Sequence, residues 1–439
     1  MSDSHLHPQV AALAGSAMSR RTLLRGLAAG ASLAAVPGLA ACGGDSSGGS
    51  KNATSLGSNF SDQVPHDALG KSIAGFTKSS GIDVNVNTVD HEKFQEKINA
   101  YLQAKPQDVW AWFAGYRMQF FADRGFAGDL TGLWDKTLSD QYTDAFKQAS
   151  TGPDGKQYFV PFYYYPWAVF YRKSLFQEKG YTVPKTLDDL MSLSKQMQSD
   201  GLTPIGFADQ EGWPAMGTFD ILNLRTNGYD FHLSLMKGEE SWESDQVKQV
   251  FDTWRQLLPY HQEGALGLDW LDAAPDLLNK KTGMYYIGMF VGQSFKKKQD
   301  REDLDFFPFP EINPEHGQDT IEAPIDGWML SAEPDNKDTA LKLLEWFGTA
   351  EGQEVYLRND PNNVAASTKA DTSGYSSLQK KASELVGAAG HITQFMDRDT
   401  RPDFASTVMI PSLQSFLKKP DDIDNLCSRI EKQKQSIFG

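Results

Sequence analysis

Helical and strand periodicities alternate along most of this 439-residue chain, and that alternation restricts its fold more than any other feature. Leu69, Ile73 and Phe76 recur at helical spacing and Gly81 closes the segment. Ile82, Val84 and Val86 then alternate with Asp83, Asn85 and Asn87, the pattern of a strand. Phe94, Ile98, Tyr101 and Leu102 mark a second amphipathic helix, and Val109 to Phe113 is a short apolar run suited to a buried strand. Helices alternating with strands imply parallel sheets joined by right-handed crossovers.

A second α/β region begins after the Pro153-Asp154-Gly155 turn, where Tyr158 to Pro161 and Val169 to Tyr171 have extended character. Thr186 and Asp189 make a capping-box-like start with the shorter acid for a helix whose apolar face is Leu187, Leu190, Leu193 and Met197, and Ile205 to Ala208 reads as a strand. Val247, Val250, Phe251, Trp254 and Leu258 give another helix; Met284 to Met289, Phe306 to Phe309 and Trp328 to Ser331 are strand-like; Ala340, Leu341, Leu344 and Phe347 share a helix face. From about Ser376 the chain is mainly helical. The length exceeds one domain of roughly 100–200 residues, and 40% hydrophobic with 23% charged residues is a globular composition.

The N-terminus carries export signals. Ser19-Arg20-Arg21-Thr22-Leu23-Leu24-Arg25 matches a twin-arginine motif, and residues 26–41 form a weakly apolar stretch too mild for a membrane span. Leu39-Ala40-Ala41-Cys42-Gly43 resembles the lipobox of bacterial lipoproteins, which makes Cys42 the expected acylated residue. The sequence reads as a signal peptide over residues 1–41 and a flexible Gly/Ser-rich tether over 42–58. With Cys42 lipidated, Cys427 has no partner and no disulfide is expected.

The net charge of −15 argues against nucleic acid, which needs a basic face. Lys296-Lys297-Lys298 lies beside Asp300, Glu302 and Asp303 and reads as a solvated loop. No Cys/His metal spacing, H-E-x-x-H or phosphate loop occurs, so neither metal nor cofactor is expected. The G-x-S-x-G match at Gly44 to Gly48 falls in the tether, where no strand-to-helix elbow could hold Ser46 as a nucleophile.

Several segments, in order, resemble the extracellular sugar-binding proteins of ABC importers, the maltodextrin-binding type. They are Asp108-Val109-Trp110-Ala111-Trp112 followed by Gly125 to Leu130, Pro161 to Lys173, Gln210-Glu211-Gly212-Trp213, Lys280 to Phe290, and Asp326-Gly327-Trp328 to Ser331. The departures are Gln107 between Pro106 and Asp108, Lys280 in place of the usual Gly, and Gly283 in place of an Ala. The resemblance implies a two-lobed α/β periplasmic-binding-protein-like fold of type 2, each lobe a mainly parallel sheet flanked by helices, with a hinge of several crossings. It implies an N-terminal lobe from residues 59–165 and 328–366 and a C-terminal lobe from 166–327 and 367–439.

A pyranose combines a rim of hydroxyls with apolar C–H faces, so its site needs planar polar groups and aromatic plates. With the resemblance, the expected plates are Trp112, Tyr164, Tyr165, Trp213, Trp270, Phe290 and Trp328, and the polar candidates are Asn59, Glu211, Arg398 and Asp403. Core packing is the competing account for each aromatic, and a surface ion pair for Arg398 and Asp403. Trp134, Trp254 and Trp346 sit in helical patterns and are assigned to the core. Tyr163, Tyr164 and Tyr165 cannot all face one way in a strand.

The expectation is a non-enzymatic, monomeric carrier, lipid-anchored on the outer face of the cell membrane. Its partners would be a carbohydrate of two or more units and the permease subunits of an ABC transporter. The alternatives are the same fold with a glycerol phosphate, a polyamine or a peptide as cargo, or a lipid-anchored glycoside hydrolase working through two carboxylates.

Overall fold

The structure, a computed structural model, describes residues 52–439. The signal peptide, Cys42 and the first ten residues of the expected tether lie outside the described residues.

Six strands form the larger sheet: β1 (Ala53–Ser58), β2 (Asp83–Thr88), β3 (Val109–Phe113), β4 (Val160–Tyr164), β10 (Ile325–Leu330) and β11 (Val364–Ala365), in the order β11-β4-β10-β3-β1-β2. The smaller sheet holds β5 (Trp167–Arg172), β6 (Thr203–Gly206), β7 (Thr282–Gly288) and β8 (Leu304–Phe307), in the order β6-β7-β5-β8. A separate two-stranded sheet pairs β9 (Thr320–Glu322) with β12 (His391–Thr393).

The sheets are mixed rather than mainly parallel. β1 runs parallel to β2 and β3, but β10 is antiparallel to β3 and β4, and β11 to β4. In the smaller sheet only β6 and β7 are parallel, and β5 opposes β7 and β8. The reason is the route of the chain: β4 passes directly into β5 and β9 into β10, so the crossing strands enter each sheet against the direction that local crossovers would give them.

Ala53–Ser58 is a second departure, since composition placed these residues in the tether. They form β1, an inner strand of the larger sheet, with Leu56 fully buried. Their small side chains serve close packing: a Cβ on Gly57 would collide with the Tyr101 hydroxyl. Asp108 pins the strand, accepting from the Thr54 hydroxyl (3.2 Å), Ser55 N (3.0 Å) and Asp335 N (2.6 Å). A buried carboxylate with several donors is held in place rather than penalised.

Elsewhere the local signals have their expected structural partners. The helix Gln63–Ser80 buries Leu69 and Phe76 and ends at Gly81 in the left-handed conformation (φ 70°), whose N–H bonds Thr77 O at 2.9 Å. Thr186 and Asp189 make both bonds of a capping box. Lys280, where a Gly was noted as usual, sits at φ 60° and its Nζ pairs with Glu178 at 3.0 Å, so this backbone turn is kept without its glycine. Cys427 is a buried free thiol.

Candidate functional site

A cavity of about 820 Å³ is lined from both sheets. Tyr165 and Trp167 flank the passage from β4 to β5; Trp213 and Trp270 each open a helix, Trp213–Met236 and Trp270–Leu278; Phe290 follows β7; all five line the cavity. Phe290 is their centre, with ring centroids at 4.8 Å from Trp270, 5.4 Å from Tyr165, 5.9 Å from Trp213 and 6.2 Å from Trp167, all inclined by 70–81°. Edge-to-face packing of this kind fixes the tilt of each ring. Phe395, held at φ 153°, adds its ring 5.0 Å from Trp167; strained backbone of this kind clusters at functional sites.

The opposing wall is polar. Asn59, directly after β1, meets His91 Nδ1 through Nδ2 at 3.2 Å, and its buried Oδ1 has no protein partner. Glu92, in the helix His91–Glu96, accepts from Trp213 Nε1 at 3.1 Å. Arg117 Nη1 donates to Asp397 (2.6 Å) and Gln95 (2.9 Å). Arg398 bonds Asp326 at 2.7 Å and the Tyr165 hydroxyl at 3.2 Å while lying 4.0 Å over the Phe113 ring. Asp360, also lining the cavity, accepts from Asn362 (2.7 Å), Asn363 (2.8 Å) and the Tyr356 hydroxyl (3.0 Å).

These carboxyls are far from ordinary. Burial, followed by the negative charge of Asp269, pushes Glu211 up to about 7. Burial raises Glu92 despite the opposing charge of His91, and raises Asp62 likewise, with Asp269 adding to the shift. Burial weakens the hold of Arg117 on its proton, which Asp397 partly restores, whereas for Arg398 the neighbours Tyr165, Asp326 and Asp397 outweigh burial and raise it. The result is a pocket with apolar plates on one side and fixed acceptors and donors on the other, suited to a neutral ligand rich in hydroxyls. Among the described residues no group of three or more His, Cys, Asp or Glu could hold a metal ion. A second cavity of about 520 Å³ beside the helix break at Gly228 is lined by residues such as Thr226, Phe231, Asn313 and His316 and has no comparable wall of rings.

Of the residues expected at the site, the structure brings together Asn59, Tyr165, Glu211, Trp213, Trp270, Phe290, Arg398 and Asp403. Trp112, Tyr164 and Trp328 fall elsewhere. Trp112 packs in the core against Phe121 (5.3 Å), and its Nε1 bonds Arg117 O. Trp328 stacks on Phe347 at 4.4 Å and is fully buried. Tyr164 points to the opposite face of β4, toward Phe146, so that Tyr163 and Tyr165 face the cavity instead. The surface ion pair set against the two charged candidates fits Asp403, which pairs with Arg401 at 2.7 Å at the edge of the cavity, but not Arg398, whose pair with Asp326 is buried.

Sequence reasoning missed His91, Glu92, Arg117, Trp167, Asp269 and Asp397. Asp90 and Asp269 are N-caps whose side chains accept from Lys93 N and Leu271 N, so the helix starts were readable signals. Nothing local marks Arg117 or Asp397, which meet across 280 residues.

The match to the family model of bacterial extracellular solute-binding proteins runs over residues 62–354, two thirds of the chain, with strands of both sheets. The chain belongs to that family. The bacterial solute receptor AcbH, described with an exclusive preference for β-D-galactopyranose, has a solved structure that is 44% identical, superposes with a TM-score of 0.86, and matches over 88% of this chain and 99% of its own. Such a match also shows the two-lobed architecture. The α-glucosides-binding periplasmic protein AglE of Rhizobium meliloti is 26% identical over 349 residues, 73% of this chain and 74% of its own length. Matches to two ABC transporter extracellular-binding proteins of Pyrococcus horikoshii, 24% and 27% identical, cover 58% and 64% of this chain and 57% and 64% of those proteins. Among the described residues no helix is long and apolar enough to cross a membrane.

Proposed function

We propose that this chain is the receptor of an ABC importer and captures a carbohydrate in the cavity between its two lobes. The observation that carries the reading is the pairing of the Tyr165, Trp167, Trp213, Trp270 and Phe290 wall with polar groups of Asn59, Arg398 and Asp360. The first supplies plates for C–H faces and the second supplies groups for a hydroxyl rim. A volume of about 820 Å³ lies within the usual small-ligand range of roughly 300–1,000 Å³. The galactopyranose preference of AcbH and the α-glucoside binding of AglE support the ligand class, with galactopyranose and its short oligomers first in order.

The lobes are built on the two sheets, with boundaries near residues 165 and 325–328 and a further crossing after about 366. Their crossings run side by side, since Tyr165 N donates to Pro324 O at 3.4 Å. Ligand touching both lobes favours the closed form, which the permease then binds. The protein acts as a monomer on the outer face of the membrane, exported through its twin-arginine leader and held by a lipid on Cys42. Replacing Cys42 with Ser should move it from the membrane fraction to the medium; retention at the membrane would contradict the anchor.

The test of the function is a thermal-shift and calorimetric panel of monosaccharides, oligosaccharides, glycerol phosphates and polyamines, with an assay for product. The expected result is saturable binding of one sugar class without turnover. Sugar cleavage would contradict the receptor reading, and a response to a charged non-sugar alone would overturn the cargo.

A further inference from the structure

Trp213 is held from the far side of the cavity. It opens the helix Trp213–Met236, which packs with the smaller sheet, yet its indole N–H donates to Glu92 Oε1 at 3.1 Å, and Glu92 stands in the helix His91–Glu96 beside the larger sheet. The two residues are 121 positions apart, and neither belongs to the crossing strands. The rest of the Trp213 environment fixes the ring but not the lobe opposite. Gly212 at φ 83° has no room for a Cβ because of Ile410, and Asp209 Oδ1 receives Ala215 N at 2.8 Å, which sets the first turn of the helix. Trp167 and Phe290 meet the indole edge-on at 5.9 Å each, inclined by 88° and 70°.

The indole therefore has two anchors on its own wall and one on the wall it faces. Trp Nε1 is a donor with a single hydrogen, so one acceptor decides which way the half-buried indole is turned. If the walls separate, Glu92 withdraws and the indole loses its only side-chain acceptor.

We infer that Glu92 is a positioning residue for this receptor, a clasp whose hydrogen bond to Trp213 couples approach of the two walls to the orientation of the Trp213 plate. The inference rests on reading the cavity as the ligand site. Glu92 acts through Trp213, so its effect is on the orientation of that plate and on the approach of the two walls.

The test is a double-mutant cycle on the full protein with Glu92→Ala, Trp213→Phe and the pair, read in two ways. Small-angle scattering without ligand should give a larger radius of gyration for each single variant and no further increase for the pair, and Glu92→Gln, which keeps an acceptor, should restore the smaller dimension. Calorimetry with β-D-galactopyranose should give about tenfold weaker binding for each single variant and about the same loss for the pair. Unchanged dimensions in every variant, or losses that multiply to about a hundredfold, overturn the clasp. If the unmodified protein binds no galactopyranose while the scattering follows the expected pattern, the ligand assignment fails and the clasp stands. Thermal unfolding of each variant separates loss of the bond from loss of the fold.

Discussion

Two tryptophans that look alike in the sequence differ completely in what they touch. Trp213 faces the cavity, whereas Trp112 lies in the core between Phe94, Trp110, Phe113 and Phe121. Trp213→Ala should weaken sugar binding at least tenfold in calorimetry with a small change in melting temperature. Trp112→Ala should instead cost about 3–5 kcal/mol of stability in denaturant unfolding. The alternation of Tyr163, Tyr164 and Tyr165 could be read from strand geometry, and its one-in-two pattern held. The site of Trp112 could not be read, because β3 is buried on both faces and period two loses its meaning there. Asp209 gives a pH signature at the same scale. It is fully buried, its Oδ2 has no partner, and burial pushes its pKa from 3.8 to about 7. A carboxyl whose folded pKa lies above its unfolded value favours the folded state least when ionised, so stability should fall as pH rises from about 4 through about 7. Asp209→Asn keeps the acceptor for Ala215 N and should melt higher than the unmodified protein at pH 8, with the difference disappearing near pH 4. A constant difference across that range would contradict the assignment.

At the scale of elements, helices and strands were legible where a local rule decides them, as in the Gly81 cap, the Thr186–Asp189 box and the Val109–Phe113 strand. They were not legible where packing decides. The Gly- and Ser-containing stretch Ala53–Ser58 has tether composition, and only its neighbours β2, β3 and Tyr101 make it a strand. β10 depends in the same way on Gly327, where a Cβ would strike Val160 O and the Phe159 ring at the shift in register with β4. Gly327→Ala should therefore destabilise the protein by about 1–3 kcal/mol, the usual cost of overpacking, measured by chemical unfolding. A loss under half a kcal/mol would mean that β4 and β10 shift apart freely.

For the whole molecule, alternating patterns gave two α/β units and a family resemblance, but not the sense of the strands that cross between them. That sense follows from β4–β5 and β9–β10, where the chain moves straight from one sheet to another. Trp213, Trp270 and Phe290 were legible with the family resemblance, and the structure places them at element ends facing the cavity. Of the polar groups Asn59, Glu211, Arg398 and Asp403 were legible, whereas Arg117 and Asp397 were hidden, because they are a pair that only the folded chain assembles. Losing one partner of a buried pair is costly, and Asp397 keeps Arg398 at 3.8 Å when Arg117 is lost, so Arg117→Met should cost about 1–3 kcal/mol in unfolding while Asp403→Ala, at the edge, should cost under about 1 kcal/mol. The most direct measurement of the central claim is a crystal structure of the protein grown with saturating β-D-galactopyranose or the best ligand of the binding panel. The account predicts a pyranose ring in the cavity, one face against Trp213, Trp270 or Phe290 and its hydroxyls toward Asn59 or Arg398; sugar bound elsewhere with this cavity holding only water would contradict it.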